Sequence, residues 1–258
     1  MQVFILFPHE LSVIRSRLTA CNVLVILPPR FAMLYFFMPI HDNFVYAPPL
    51  APLSILYEDA DLVIIDKPAG LLSVPGRLPE HHDSAYLRVL EHYPHAKITH
   101  RLDMATSGIL MFAKHREAEV AVSKMFQART VKKNYIALVQ GQLQPQGSVE
   151  VPLITDWENR PRQMVHFELG KPAHTLYETL AYDEVEDITR VLLTPITGRS
   201  HQLRVHMQYI GHPITGDKLY HPQPNQSPLK RMALHASALS FQQPLSNEHI
   251  AISTAIPF

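Results

Sequence analysis

From Leu53 onward the chain is a succession of short apolar or alternating runs, and several of the later runs follow one another with no helical stretch between them. Neighbouring parallel strands need a crossover of a dozen or more residues, usually a helix, whereas strands joined by short turns pair antiparallel. Thr175 to Ala181 followed by Arg190 to Leu193, and Met232 to Phe241 followed by His249 to Ser253, read as strand pairs of that second kind. Leu62 to Ile65 has the pattern of a buried strand, and Ile109 to Ala113 and Asn134 to Val139 add two more. Helical patterning is clear only over Ser84 to Tyr93, with Ser84 as a cap, over His115 to Ala128, and over Ser200 to Ile210 between Gly198 and Gly211. The expected fold is α+β, with a mixed, mainly antiparallel central sheet and flanking helices. A doubly wound parallel sheet fits less well.

Residues 1–37 differ in kind. They carry apolar runs at Phe4 to Phe7, Val23 to Leu27 and Phe31 to Phe37, broken by Pro8, Pro28 and Pro29, and none approaches the ~20 apolar residues that span a bilayer. Arg15 and Arg17 precede Val23 to Leu27, but Pro28-Pro29-Arg30 follows where a cleavable leader needs small residues. No membrane association is expected. Met38-Pro39 opens a proline-spaced arm ending at Pro52, and synthesis starting at Met38 is a second possibility for this end. The expected division is an atypical extension over 1–37 and one catalytic domain over 38–258.

Chemistry-bearing residues concentrate where glycines do. All nine glycines lie between residues 70 and 216, and glycine serves where the backbone turns sharply or a ligand approaches closely. The run His100-Arg101-Leu102-Asp103-Met104-Ala105-Thr106-Ser107-Gly108 holds one carboxylate among turn formers, directly before an apolar strand. Taken alone, Asp103 reads equally as a cap or a surface charge. Upstream, a buried strand delivers Lys67 into the rigid turn Pro68-Ala69-Gly70, a way to hold a phosphate-contacting loop at a cleft rim or simply a strand exit. Lys132-Lys133-Asn134-Tyr135 opens a strand on which Tyr135 shares a face with Ala137 and Val139, as a core tyrosine would. Finally, Gly198-Arg199-Ser200-His201-Gln202-Leu203-Arg204-Val205-His206 runs on through Gly216-Asp217-Lys218-Leu219-Tyr220. A cation at Arg199, at the first turn of the expected helix, sits against the helix dipole and calls for a carboxylate partner.

Together these segments, from about Ile55 to the C-terminus, resemble the pseudouridine synthases of the family of ribosomal large-subunit pseudouridine synthase A. Leu72 to Arg77 and Asp156-Trp157-Glu158-Asn159-Arg160-Pro161 are similar to synthase A in particular. The resemblance implies that Asp103 is the essential catalytic carboxylate, that Tyr135 packs against the target base and is the favoured group for handling the proton at C5, and that Arg199 pairs with Asp103 and holds it ionised. It further implies substrate contacts from Arg101, His100, Leu203 and Lys67, with Arg101 filling the space left by a flipped uridine. The implied partners are structured RNA, namely 23S ribosomal RNA and the anticodon stem-loop of tRNA, met by a monomer in the cytoplasm. Residues 1–37 lack the basic helical pattern of the S4-like domain that longer relatives carry in front, so target choice would fall to the catalytic domain.

Composition narrows the rest. A single cysteine, Cys21, excludes an internal disulfide and fits a reducing compartment. The formal net charge is +0, so RNA must be drawn by local patches, such as Lys124 to Lys133, Arg160 with Arg162 and Lys171, Arg199 with Arg204, and Lys218 with Lys230 and Arg231. Sixteen histidines carry none of the usual zinc spacings, and dinucleotide and phosphate-loop motifs are missing from the sequence, so neither metal nor cofactor is expected. Isomerising uridine needs neither. Two rival classes stay in view: a base-excising glycosidase, which would ordinarily want two catalytic carboxylates, and an RNA-binding protein without catalysis.

Overall fold

The structure, a computed structural model, describes the backbone of residues 3–7 and 10–14 and, with side chains, residues 45–223, 227 and 229–258. The chain divides into two compact units, Met1–Phe44 and Val45–Phe258. In the first, β1 (Val3–Phe7) and β2 (Glu10–Ile14) form an antiparallel pair. The possible start at Met38 lies outside the described residues.

The second unit is built on a ten-stranded sheet. Its strands are β3 (Ser54–Glu58), β4 (Leu62–Lys67), β5 (Lys97–Ile98), β6 (Ser107–Ala113), β7 (Lys132–Gln140), β8 (Gln146–Val149), β11 (Thr175–Asp183), β12 (Ile188–Pro195), β13 (Leu234–Gln242) and β14 (His249–Ser253). The main path runs β3-β4-β6-β13-β7-β12-β11-β8, and the separate pair β9 (Leu153–Thr155) and β10 (Gln163–Val165) forms a small hairpin. Pairing is antiparallel throughout except between β13 and β6. The α+β expectation therefore holds.

Strands β4 and β6 are apolar without interruption because both of their faces are covered. Val63, Ile65, Leu110 and Phe112 point into one core with Ala85 and Val89 of helix α1 (Ala85–Leu90). Their alternates Leu62, Ile64, Ile109 and Met111 point into another with Val122 of helix α2 (Arg116–Ala128). Ser84 caps α1 as the sequence suggests, its hydroxyl accepting from Leu87 N at 3.3 Å. Beyond the seam, β7 and β12 bury alternate residues against Leu203 and Met207 of helix α3 (Gln202–Tyr209). That helix starts two residues later than the sequence pattern indicates, behind His201 in the left-handed region at φ 52°, and ends before Gly211 at φ +87°.

The two halves of the sheet meet at a narrow join. β6 and β13 share only the parallel pairs Ser107 with His235 and Gly108 with Ala236, after which β6 turns to β5 and β13 to β14. Gly108 sits at φ +109°, and a Cβ there would stand 2.3 Å from Ala236 O. Only glycine allows that approach.

Candidate active site

The loop between β5 and β6 carries Asp103, and two neighbouring segments fix its course. Ser73 Oγ donates to Leu102 O at 2.7 Å and accepts from Leu102 N at 3.0 Å. Met104 O accepts from Gly70 N at 2.8 Å and from Lys67 Nζ at 3.2 Å. Lys67 also donates to Pro68 O at 2.9 Å and Leu71 O at 2.7 Å, and the residue is 0% exposed. This corrects the substrate contact that the resemblance implies for Lys67 and leaves the plainer reading of a strand exit. Its ammonium has three donors and gives all three to main-chain carbonyls, so it ties the 68–71 turn to the Asp103 loop instead of reaching a ligand. Burial pulls its pKa down to about 7.

Asp103 lines a cleft of about 1050 Å³, at the upper end of what a small-molecule site occupies, so one nucleoside leaves room for its neighbours. Tyr135, Arg101, His100, Arg199 and Leu203 line the same cleft. Tyr135 stands on β7 opposite Leu193 and Ala236, which places it beside the join, and its hydroxyl has no hydrogen-bond partner among the described residues. Burial and the nearby Asp103 charge push that hydroxyl well above the ordinary tyrosine range. Arg101 is exposed and makes no hydrogen bond or ion pair among the described residues. His100 is held from behind, its Nε2 accepting from Met111 N at 3.1 Å, and burial with the Lys133 charge lowers its pKa to about 3.

The partner of Asp103 is Arg204, where Arg199 was expected. Arg204 Nη1 donates to Asp103 Oδ2 at 3.1 Å, while Nε and Nη2 grip Asp217 at 2.7 and 2.8 Å. The guanidinium is aimed by burial: the Arg204 side chain is 5% exposed and that of Asp217 is 0% exposed. Burial alone would weaken the Arg204 charge, but the Asp217 bonds outweigh it and raise the pKa above the usual arginine range. Arg199 lies before α3 begins, its side chain exposed, with Nε donating to Pro172 O at 3.0 Å. Ahead of the first turn and exposed to solvent, Arg199 meets only a screened helix dipole, so no carboxylate partner is required of it. Gln202 pins this loop by accepting from Thr197 Oγ1 and Arg199 N and donating to His174 O and Thr175 Oγ1.

A second layer supports the pair. His201 Nε2 stands 3.9 Å from Asp103 Oδ1, and its Nδ1 is 2.7 Å from the Tyr220 hydroxyl. Tyr220 OH also accepts from Gln163 N at 2.7 Å, and the Arg204 guanidinium lies over the Tyr220 ring at 4.9 Å. Burial keeps His201 below its ordinary pKa despite the attraction of Asp103, so it is neutral near pH 7. The sequence carries Arg204, Asp217, His201 and Tyr220 in one motif, of which only Arg204 is marked, as half of a basic patch with Arg199. A signal was present, since Arg204 stands between Leu203 and Val205 in a short helix whose opposite faces carry apolar residues, and a charge so placed requires a buried partner.

This arrangement, one carboxylate anchored by a guanidinium on the floor of a wide cleft beside a tyrosine, is what the resemblance leads one to look for. The RNA pseudouridylate synthase family matches residues 61–209. A dual-specificity RNA pseudouridine synthase RluA from Pasteurella multocida is 51% identical over 215 residues, covering 83% of this chain and 98% of the relative. Its counterpart from Escherichia coli K12 is 49% identical over 201 residues, covering 77% of this chain and 91% of the relative. Among solved structures, human RNA pseudouridylate synthase domain containing 1 aligns with a TM-score of 0.67 at 30% identity, covering 80% of this chain and 84% of that one. Human RNA pseudouridylate synthase domain containing 4 gives 0.62 at 25% identity, over 79% and 88%. The chain belongs to the RNA pseudouridylate synthase family.

Proposed function

We propose that this synthase acts on two RNA classes, 23S ribosomal RNA and the anticodon stem-loop of tRNA, as a monomer in the cytoplasm, with Asp103 as its catalytic carboxylate. Half-identity to relatives named as dual-specificity enzymes, extending over some four-fifths of the chain, supports the two classes. The observation that carries the role of Asp103 is its ion pair with Arg204 inside the cleft, which occupies Oδ2 and leaves Oδ1 toward the neutral His201.

The reaction breaks the N1 glycosidic bond of uridine, turns the uracil while it stays bound, joins C5 to C1′ and releases the C5 proton, while N1, freed of the ribose, takes up a proton from solvent. Atoms balance without an external group. Asp103 acts on the ribose, by attack at C1′ or by removal of the C2′ proton, and a deuterium at C2′ separates these by the presence or absence of a primary isotope effect. Tyr135 suits packing and hydrogen-bond donation to the base: with its pKa raised the hydroxyl keeps its proton near neutral pH, so no phenolate is at hand to take the C5 proton. Arg101, exposed at the cleft, fills the stack when the uridine flips out, a step that costs roughly a few kcal/mol in unstacking.

Tritium release from RNA labelled at uridine C5 tests the assignment. Wild-type chain should release tritium from both a 23S-derived stem-loop and a tRNA anticodon stem-loop, and Asp103→Asn should abolish release from both. Activity on one RNA alone would restrict the reading to one class. Free uracil among the products would make the enzyme a glycosidase.

A further inference from the structure

The hairpin β9–β10 ends in a feature that the catalytic step does not use. Trp157, the single tryptophan of the chain, is 67% exposed at its tip, and the Arg160 guanidinium covers it at 5.0 Å from the ring centroid. The tip is rigidly built. Asp156 N and Arg162 N donate to Arg162 O and Asn159 O, each at 3.0 Å, and the Asp156 carboxylate accepts from Asn159 N at 3.1 Å and Asn159 Nδ2 at 2.9 Å. Both Asp156 oxygens are thereby turned inward, while Arg160 and Arg162 are exposed and make no ion pair among the described residues. Glu158 at the tip and Glu168 beyond β10 are the opposing charges. Phe167 and Leu169, each 69% exposed, leave further apolar side chains in water past the other end of β10. Leaving an indole and a phenyl ring in water forfeits burial, which points to a ligand.

We propose that Trp157 and Arg160 form a stacking platform for an unpaired RNA base flanking the target uridine. The proposal rests on the reading that the chain acts on structured RNA. An aromatic face paired with an arginine accepts any base by stacking while the guanidinium meets the adjacent phosphate. RNA is favoured over a protein partner by the surroundings. Lys171 pairs with Leu153 at the base of the hairpin, and Arg199, which lines the catalytic cleft, bonds Pro172 next to it, so two further cations stand where the hairpin's base meets the cleft. The hairpin is also wired to the site, because Gln163 N donates to the Tyr220 hydroxyl that holds His201 beside Asp103.

The single tryptophan makes the test direct. Full-length wild-type chain is titrated with a tRNA anticodon stem-loop RNA while tryptophan emission and its quenching by acrylamide are followed, with filter binding as an independent measure of occupancy. Emission should be quenched and acrylamide access should fall in step with occupancy. Trp157→Ala should raise KM about tenfold, equivalent to ~1.4 kcal/mol and within the range for one stacked base, with kcat changed less than KM. Trp157→Phe, which keeps a stacking face, should recover most of that loss. Unchanged emission and acrylamide access at RNA saturation, or a wild-type KM for folded Trp157→Ala, overturns the platform. Absence of tritium release by the wild-type chain would instead strike the proposed RNA activity, while the fluorescence titration still reports the contact.

Discussion

Arg204 reaches Asp103 with the one guanidinium nitrogen that Asp217 leaves over. Two bonds at 2.7 and 2.8 Å fix the fork on a fully buried carboxylate, and the third, at 3.1 Å, is then aimed without any freedom of its own. The catalytic aspartate is positioned by an arginine that is itself positioned by a second aspartate, so aim and charge come from different residues.

Arg204→Ala should therefore damage fold and reaction together. Removing the guanidinium leaves Asp217 buried without its counter-charge, which costs about 3–5 kcal/mol and reads as a lower urea midpoint. Tritium release should fall at least a hundredfold. Arg199→Ala, at an exposed residue bonded only to a carbonyl, should keep the urea midpoint within ~0.5 kcal/mol and retain kcat within about threefold. Equal loss in the two variants would restore Arg199 to the catalytic role that the sequence suggested.

Tyr220→Phe isolates the supporting layer. It takes the acceptor from Gln163 N and the partner from His201 Nδ1 while keeping the ring under Arg204. A buried group left without its partner costs ~1–3 kcal/mol. With His201 no longer held, kcat should drop about tenfold with KM nearly unchanged. A rise in KM alone would mean that Tyr220 serves RNA binding.

The join between the half-sheets sets a steric limit. Gly108→Ala places a Cβ 2.3 Å from Ala236 O at a φ that disfavours side chains, and it should destabilise by roughly 3 kcal/mol or more, visible as loss of soluble protein. Gly211→Ala has a similar φ of +87° but open space around the new methyl, so only the backbone penalty of about 1–2 kcal/mol is expected. Thermal melts of the two variants should differ accordingly.

His100 should make the protein acid-sensitive. In the folded state its pKa is about 3, because the ring is desolvated and its Nε2 accepts from Met111 N. Unfolded, it returns to about 6.5 and takes up a proton that the native state refuses. Stability contributed by the neutral ring is thus complete above pH 6.5 and declines as pH falls from 6.5 toward 3, by at most ~1.4 kcal/mol per pH unit. His100→Gln, which keeps an acceptor for Met111 N, should make the slope of unfolding free energy against pH shallower by about one proton in that interval. An unchanged slope would assign the acid sensitivity to other groups, among them His206, which burial lowers to about 4.

Most long elements were legible because their patterns are strong. Leu62 to Ile65, His115 to Ala128 and Thr175 to Ala181 all fall inside observed elements, apart from His115 itself, which caps α2 through its Nδ1. The short strands β3, β5, β8, β9 and β10 were missed, since stretches of two to five residues are too brief to establish a period. In the site, the motifs named the right segments and the cleft gathers Asp103, Tyr135, Arg101, His100, Arg199 and Leu203. What the sequence could not decide was which of two arginines in one motif meets Asp103, because that depends on where α3 begins. Nor could it show that Lys67 is buried: a lysine before a Pro-Gly turn reads as exposed until the carbonyls of another loop close around it.

The two-pair join at Gly108 and Ala236 has a mechanical meaning for the enzyme. Asp103 is carried by the half-sheet of β4 and β6, whereas Tyr135 and Arg204 are carried by the half that packs on α3, and along that join the backbone ladder has only two residue pairs, the remaining contact being side-chain packing of Ala236, Leu239 and Phe241 against β4 and β6. Backbone hydrogen bonding is thus sparser at the join that aligns the reacting groups than between the strands within either half. Warming should slacken the catalytic alignment while both halves still scatter light and absorb as folded protein, so heat inactivation should precede the calorimetric transition by several degrees.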